Sequence, residues 1–373
     1  MSLVSLTSHN FRNLVSASIP LHPKLNFFIG DNGSGKSSIL ESLFFVGHGK
    51  SFRTSKVEHL VTHDNNEFVI NVKSDNDLQL GISKNFLHGT TQIRVNGKNQ
   101  NRLSVLAQNI AVQIVTPESF KLFFGGAKER RRFVDLGMFH VKQSFPSLWR
   151  DFAKLLKQRN ALIRNKVNKA ELAYWTESFA QYSEQVSVLR EEYIASLTEQ
   201  LTESLKVLLP TLAEKVSIHY SRGWSQKKSL VEYLNESYER EFSYGYTLYG
   251  AHKFDVKFLY GKMPIETQLS RGQQKLFLLA LTFAQANLIA KVNRVKPILL
   301  IDDIGAELDV KSRALLFSLI EITNCQILIT ATDNSVLADF LKPSSIESGD
   351  DNTGNLGENY NMFHVKHGKI SPI

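Results

Sequence analysis

The chain has 373 residues, 42% of them apolar, and a formal net charge of +8 at neutral pH. This length and apolar content suffice for a buried core and predict two lobes. The single cysteine, Cys325, excludes an internal disulfide, and we find neither a secretion leader nor an apolar run of the ~20 residues that a membrane helix needs. We therefore expect a cytoplasmic protein with no membrane contact.

The N-terminal 38 residues predict a nucleotide site. In residues 3–29, apolar and polar residues first alternate and then give way to a continuous apolar stretch. This pattern predicts a hairpin followed by a buried strand. The next residues match the phosphate-loop pattern G-x-x-x-x-G-K-[ST] and open a helix, so a chance glycine-rich turn is the weaker interpretation. We predict that the following residues bind a nucleotide: Gly30, Asp31, Asn32, Gly33, Ser34, Gly35, Lys36, Ser37 and Ser38.

Two side chains of this loop carry the predicted chemistry. Lys36 reaches the β- and γ-phosphates in loops of this kind, and the Ser37 hydroxyl can ligate a Mg²⁺ ion that bridges them. Backbone N–H groups and the positive end of the following helix dipole add to the attraction for phosphate. The sequence therefore predicts a site for a nucleoside triphosphate with Mg²⁺.

The segment between residues 39 and 115 supports this site and adds a sheet. A short apolar helix is expected to end near Gly47, and Arg53 beyond it is either a second phosphate contact or an exposed loop arginine. Residues 66–115 then alternate with period two and carry Asn-Gly and Asp-Asn turns, which predicts antiparallel strands.

Positive charge is concentrated in residues 121–170. This segment carries thirteen basic and three acidic side chains, a net charge of +10 that leaves −2 for the rest of the chain. A local basic block favours a polyanionic partner such as DNA, bound through its phosphates, although the solvated face of a helix would look the same.

From Trp149 onward the spacing of apolar residues changes to a helical period. Apolar positions step by three and four along one predicted helix, which we expect to pack antiparallel on a helix around residues 148–166 and so form a helical arm. The positions of this seam are Leu172, Trp175, Phe179, Tyr182, Val186, Leu189 and Tyr193.

The last third of the chain predicts further strands of a parallel sheet. Lys253–Tyr260 reads as a strand, and Ser270 is placed to cap a strongly apolar helix that follows it. Residues 297–301 and 326–330 are apolar strands, residues 343–359 form a polar, mobile loop, and residues 362–370 form a closing hairpin. Asp302 and Asp303 end the first of these strands, where Asp302 can hold the metal and Asp303 can orient the attacking water.

The stretch Leu269–Gln273 resembles the signature of the ATP-binding-cassette ATPases. In that family two heads sandwich two ATP molecules, and the resemblance implies that Ser270, with Arg271, Gly272 and Gln273, caps the γ-phosphate held by the partner. It also implies a dimer-contact loop at residues 306–309 and makes Gln113 the candidate for the metal-sensing glutamine. Thr332 stands where most members carry a switch histidine, and Asp303 where most carry glutamate, which points to slow hydrolysis.

The arrangement of these motifs resembles the RecF family of SMC-like bacterial proteins over nearly the whole chain. Lys36 and Ser270 lie 234 residues apart, wider than in transporter cassettes and far closer than in proteins with long coiled coils. Further resemblance lies in five stretches: 10–13, 30–36, 50–54, 131–135 and 157–162. The implied fold is α/β, an ABC-type ATPase head with a mixed sheet and an antiparallel β insert (1–125 and 255–373), plus an inserted helical arm (126–254).

The resemblance also implies an activity and partners. The chain would be a weak, DNA-dependent ATPase that forms an ATP-dependent homodimer and clamps single-stranded, double-stranded or gapped DNA. It would act in DNA replication, DNA repair and the SOS response with RecO and RecR, and indirectly with RecA. Two alternatives remain: another cassette ATPase of DNA metabolism that works with a nuclease, and a nucleotide-gated scaffold whose basic segment binds an acidic protein.

Overall fold

The computed structural model describes residues 1–292, 295–333 and 360–373. The chain forms two compact units, each with its own internal packing. The first consists of Met1–Ser119, Val207–Leu209 and Arg271–Ile373, and the second of Phe120–Lys206 and Pro210–Ser270. None of the helices in these described ranges combines the length and the apolar composition needed to cross a bilayer.

Strands are spread over both units. They are β1 (Leu3–Phe11), β2 (Leu14–Pro20), β3 (Leu25–Ile29), β4 (Glu67–Ser74), β5 (Gln79–Asn85), β6 (Thr90–Val95), β7 (Lys98–Gln100), β8 (Ala111–Val115), β9 (Val216–Ser221), β10 (Asp255–Tyr260), β11 (Met263–Pro264), β12 (Pro297–Ile301), β13 (Gln326–Ala331), β14 (Tyr360–Lys366) and β15 (Lys369–Pro372).

Helices also occur in both units. They are α1 (Lys36–His48), α2 (Ser104–Asn109), α3 (Lys121–Phe124), α4 (Ala127–Val141), α5 (Phe145–Arg164), α6 (Lys169–Leu208), α7 (Leu230–Glu236), α8 (Tyr238–Tyr244), α9 (Ile265–Gln268), α10 (Arg271–Lys291), α11 (Ile304–Glu307) and α12 (Val310–Ile322).

The first unit contains two sheets. In the antiparallel sheet the described strands run in the order β2-β1-β4-β5-β6-β7, and alternate residues of the central strand β4 are buried, as the period-two pattern predicts. The mixed sheet has the order β15-β14-β3-β13-β12-β8. In it β14, β3, β13, β12 and β8 are parallel, and β15 pairs antiparallel at one edge.

The mixed sheet is buried because its central strands are apolar on both faces. Every residue of β3, β12 and β13 is buried. Helix α1 shares one core with both sheets, which includes Phe11 and Phe68 from the antiparallel sheet, Leu43 from α1, and Phe28 and Leu300 from the mixed sheet. The carboxyl ends of β3, β12 and β13 therefore meet at one edge, as expected of a nucleotide-binding α/β sheet.

The second unit is built on helices α5 and α6, which run antiparallel as the helical period predicts. The Phe152 and Phe179 rings stack with centroids 5.4 Å apart. Nearer the connecting turn, the Arg159 Nε atom donates to the Thr176 hydroxyl at 3.3 Å. A small sheet in the order β11-β10-β9 belongs to the same unit.

The division of the chain differs from the predicted lobes at both ends of the arm. Residues 255–270, which we assigned to the ATPase core, group with the second unit because β10 pairs along its length with β9. Residues 120–125 group there as well, where the Phe123 ring packs edge-on against Phe258. The predicted loop at 343–359 lies outside the described residues.

Candidate ATP site

The phosphate loop connects β3 to α1, as predicted. Gly35 immediately precedes α1 with φ 117°, a conformation that side chains disfavour. At Gly30 a Cβ atom would overlap the carbonyl oxygen of Val365, so a larger residue is excluded there. Both glycines are therefore required by the shape of the loop as well as by the ligand it would hold.

Lys36 is buried at the first position of α1, and its ammonium group is held inside the loop. Its Nζ atom donates to the carbonyl oxygen of Gly30 at 2.5 Å and to that of Asp31 at 2.8 Å. Burial lowers the pKa of Lys36, whereas Asp303, Asp302 and Asp31 raise it. Because its partners are neutral carbonyls, a phosphate can replace them without leaving a buried charge unpaired.

Ser37 and Asp302 meet at the carboxyl edge of the sheet. The Ser37 hydroxyl donates to Asp302 Oδ1 at 3.0 Å, although 265 positions separate the two residues. Thr330 donates to the same oxygen at 2.8 Å. Burial raises the pKa of Asp302, and these two hydrogen bonds lower it. We did not predict Thr330, yet a hydroxyl near the end of an otherwise apolar strand is a signal that could have identified it.

Asp303 has an unusual backbone conformation. Its φ and ψ are 55° and 56°, in the left-handed region, and its N–H donates to the Thr330 hydroxyl at 2.8 Å. Its Oδ1 atom is buried without a hydrogen-bond partner among the described residues. A strained residue with an unsatisfied carboxylate oxygen is typical of a functional site.

Two hairpins from opposite ends of the chain enclose the loop. In the β1–β2 turn, Asn13 accepts a hydrogen bond from the Ser38 hydroxyl at 2.9 Å and donates to Gly33 O at 3.4 Å. In the β14–β15 turn, the Gly368 N–H donates to Ser34 O at 2.7 Å, and a Cβ atom at Gly368 would overlap the Asn13 carbonyl oxygen. Sequence reasoning missed the Gly368 contact because it joins residues more than 300 positions apart.

A buried carboxylate anchors α1 beneath the loop. Glu41 is fully buried and accepts two hydrogen bonds from the Arg12 guanidinium, at 2.9 and 2.8 Å, and one from Ser51. Arg53 lies 3.8 Å from the same carboxylate, and its side chain is half exposed. Arg53 thus interacts with Glu41, and its predicted contact with phosphate stays a prediction.

The signature residues lie at the start of α10. Ser270 immediately precedes this helix, which begins at Arg271, and Ser270, Arg271 and Gly272 are exposed while Gln273 is half-buried. The first residues of this helix are thus accessible at the surface. The surface needed for a contact with another molecule is therefore present.

Three further positions are implied by the family resemblance: Gln113, the loop at residues 306–309 and Thr332. Gln113 lies within β8, not in a loop, and its side-chain amide donates to Gln285 on α10 at 3.0 Å. Its implied metal-sensing role stays a prediction. Of the implied dimer-contact loop, Asp309 caps α12 by accepting from the Ser312 N–H at 2.8 Å, and residues 304–307 form helix α11. Thr332 follows β13 and is half-buried.

The basic segment separates into two groups. Some of its arginines are used within the second unit: Arg130 pairs with Asp255 through two hydrogen bonds, Arg131 donates to Phe254 O at 3.0 Å, and Arg159 is 1% exposed and donates to Glu241 at 2.6 Å. A second group is exposed on one face of α5, at spacings of four, three and seven. We call it the α5 stripe: Arg150, Lys154, Lys157 and Arg164.

The residues at the loop fit ATP and Mg²⁺. The loop offers a buried ammonium group and the N-terminus of a 13-residue helix for phosphates. The Ser37 hydroxyl and the Asp302 carboxylate are oxygen donors side by side, the type of ligand that Mg²⁺ prefers.

Comparison with known proteins identifies the family of this chain. Residues 2–353 match the family described as the RecF/RecN/SMC N terminal domain. The chain is 61% identical to the DNA replication and repair protein RecF of Colwellia psychrerythraea over 373 residues, all of this chain and 98% of that protein. It is 38% identical to the RecF of Shewanella woodyi, again over all of this chain and 98% of the relative.

Solved structures show the same fold. The structure of the recombination mediator protein RecF-ATP in the RecFOR pathway matches with a TM-score of 0.81 at 23% identity, covering all of this chain and 97% of that one. An Smc head bound to a domain of ScpA matches with a TM-score of 0.59 at 15% identity, covering all of this chain and 97% of the other. By its family match and its curated relatives, the chain belongs to the RecF family within the RecF/RecN/SMC group.

Proposed function

We propose that this chain is a weak, DNA-dependent ATPase that uses ATP and Mg²⁺ to close a homodimeric clamp on DNA at single-strand gaps. With RecO and RecR it would help to load RecA during DNA repair and replication. The names of its relatives support the repair and replication role, and the RecFOR pathway named for the structural neighbour supports the partners. A single buried cysteine suits a cytoplasmic protein.

The observation that carries this proposal is the meeting of Lys36, Ser37 and Asp302 at one edge of the sheet. Lys36 is held by carbonyl groups that phosphate oxygens can replace, and Ser37 contacts Asp302 at 3.0 Å. Bound Mg²⁺ would neutralise charge on the phosphates. Ser37 and Asp302 would hold the ion, and the loop backbone would fix the phosphates in place.

Asp303 is the residue that we propose to orient the attacking water. Within the described part of the chain its buried Oδ1 atom has no hydrogen-bond partner and can accept a hydrogen bond, and its position directly follows Asp302. Asp303→Asn keeps the size of the side chain but accepts a proton poorly, so hydrolysis should fall by about 10²–10⁴-fold while ATP affinity stays near the parent value. An unchanged turnover rate would assign Asp303 a structural role only.

Dimer formation is proposed to depend on Ser270. Its exposed position before α10 allows it, with Arg271, Gly272 and Gln273, to contact the γ-phosphate held by a second copy. Ser270→Arg adds a bulky side chain at this exposed position, where the substitution should not disturb folding. We expect this variant to bind ATP as a monomer with near-normal affinity.

Sedimentation velocity with and without ATP tests the clamp. The parent protein should dimerise only with ATP, and Ser270→Arg should not. Gln268→Arg, the same change of charge at an exposed position two residues away, is the matched control and should dimerise. A mixture of Ser270→Arg and Lys36→Ala chains can form at most one intact site per dimer. Normal dimerisation of Ser270→Arg alone would exclude the sandwich.

We assign DNA binding to the α5 stripe, since its side chains are exposed and lie on one helical face. At Arg150 and Lys154 the exposed fractions of the side chains are 55% and 71%. Asp151 is the acidic residue between them, at 3.7 and 3.4 Å, and such exposed pairs contribute only about 0–1 kcal/mol. The stripe is therefore available for phosphate groups.

A further inference from the structure

The end of α8, in the second unit, carries an unusual concentration of tyrosines. Residues 233–249 contain five of the eleven tyrosines of the chain. Two of them are largely exposed, Tyr244 at 58% and Tyr246 at 42%, with ring centroids 5.9 Å apart. An isolated exposed aromatic ring needs no explanation, but an adjacent exposed pair is less common.

The backbone between these tyrosines explains why both face solvent. Gly245 ends α8 with φ 78°, and its N–H donates to Glu241 O at 2.8 Å. A left-handed glycine reverses the chain direction at a helix end. Tyr244 and Tyr246 on either side of it are thus held outside the packed part of the unit by the local backbone conformation.

Positive side chains lie next to these rings. A Cβ atom at Gly245 would be 3.6 Å from Arg164 Cγ, so the last residue of the α5 stripe is in van der Waals range of the tyrosine turn. Lys253 Nζ lies 5.0 Å from the centre of the Tyr246 ring. Arg164 and Lys253 therefore place basic side chains beside the exposed rings.

Charge around this surface is positive. Lys166 and Lys169 are exposed in and just after the α5–α6 turn, and residues 164–169 contain no acidic residue. Two nearby carboxylates already have partners: Glu241 is buried with Arg159, and Glu171 accepts from the Asn168 side chain at 2.7 Å. Exposed Glu239 is followed by exposed Arg240, so these two residues together add no net charge.

We propose that Tyr244 and Tyr246, with Arg164 and Lys253, form a binding surface for single-stranded nucleic acid. Unpaired bases would stack on the two rings, while the basic side chains neutralise the adjacent phosphates. Duplex DNA hides its base faces, so it would use the α5 stripe without the tyrosines. This inference rests on the proposed DNA-binding function and adds the strand type that this surface prefers.

Fluorescence anisotropy with a labelled 30-nucleotide single strand and the matching duplex tests this surface. The Tyr244→Ala/Tyr246→Ala protein should lose about tenfold or more in affinity for the single strand, since each stacked base contributes a factor of this order. Its affinity for the duplex should stay within about twofold of the parent value. The corresponding double Phe variant keeps both rings and should bind like the parent protein.

Tyr260→Ala is the matched control, because Tyr260 also has a lysine over its ring, Lys215 at 5.7 Å, but lies at the end of β10. It should leave both affinities unchanged. Equal losses on both DNAs, no loss on the single strand, or failure of the double Phe variant to bind would overturn the tyrosine surface. A parent protein that binds neither DNA would instead contradict the proposed function itself, and an RNA strand of the same sequence tests whether the surface distinguishes sugars.

Discussion

The phosphate loop and helix α5 both hold buried positive charge, but the partners of that charge differ. Lys36 is buried against the neutral carbonyls of Gly30 and Asp31, whereas Arg159 is buried against the carboxylate of Glu241. A neutral partner can be exchanged for a phosphate, while a buried carboxylate must keep its cation. Burial alone therefore does not distinguish a binding group from a structural one, and the charge of the partner does.

The largest expected effect comes from breaking the Arg159–Glu241 pair. Arg159→Ala leaves a fully buried carboxylate uncompensated, which should lower the free energy of unfolding of the second unit by about 3–5 kcal/mol. Lys157→Ala, two positions away on the exposed face, should change it by less than about 0.5 kcal/mol. Thermal unfolding of both variants measures the difference. Equal melting temperatures would mean that the pair contributes no more than a surface charge.

ATP binding provides the second test of the comparison. Lys36→Ala should weaken ATP binding roughly a hundredfold, because a charge-assisted hydrogen bond contributes about 1.5–3 kcal/mol. Stability should change less than in Arg159→Ala, since the Lys36 partners are uncharged. Titration calorimetry gives the affinity, and Lys56→Ala, an exposed lysine of the same unit, is the control. Unchanged ATP affinity in Lys36→Ala would remove the nucleotide-site assignment.

The α5 stripe should determine how strongly DNA binding depends on salt, whereas the arginines paired within the second unit should not. Replacing Arg150, Lys154 and Lys157 with Ala should lower the slope of log K against log salt for duplex DNA by ~0.9 for each lost phosphate contact. Arg130→Ala is the contrasting control: its guanidinium is held by Asp255, so it should leave the slope unchanged. If only Arg130→Ala lowers the slope, the DNA surface lies elsewhere.

The smallest expected effect comes from a change in the β14–β15 turn, which contacts the phosphate loop. Gly368→Ala places a methyl group against the Asn13 carbonyl oxygen, so the β14–β15 turn must move away from Ser34. We expect ATP affinity to fall several-fold, by about 1 kcal/mol. Gly97→Ala is the control for the backbone strain of a residue with positive φ. Gly97 has φ 75° in another hairpin turn, where an added Cβ atom would have no described atom within 4 Å. Equal ATP affinities in the two variants would show that the contact does not position the loop.

Most of the fold could be predicted from local patterns. The period-two residues between 66 and 100 form β4 to β7, and the helical period after residue 148 forms α5 and α6. The lobe boundary at residues 255–270 was wrong for the ATPase core, because the pairing of β10 with β9 connects residues about 40 positions apart. Period two identifies a strand but does not specify its partner.

The candidate site shows the same division between local and distant information. The residues of the phosphate loop are contiguous in the sequence. Its glycines, lysine and serine form a pattern that can be recognised without knowledge of the rest of the fold. Thr330 and Gly368 reach the loop only because β13 and β14 flank β3 in the sheet. Gln113 lies on β8, in the short apolar strand that the sequence predicts, but its contact with Gln285 on α10 joins residues 172 positions apart and could not be predicted.

Sequence alone therefore determined the nucleotide loop, the helical arm and the location of the excess positive charge. Only the tertiary structure decided which of those charges are available. Arg130, Arg131 and Arg159 look the same in the sequence as Arg150 and Lys154, but the first three have partners within the second unit. The physical reason is that charge is a property of one residue, whereas its desolvation and pairing depend on groups brought near it by the fold.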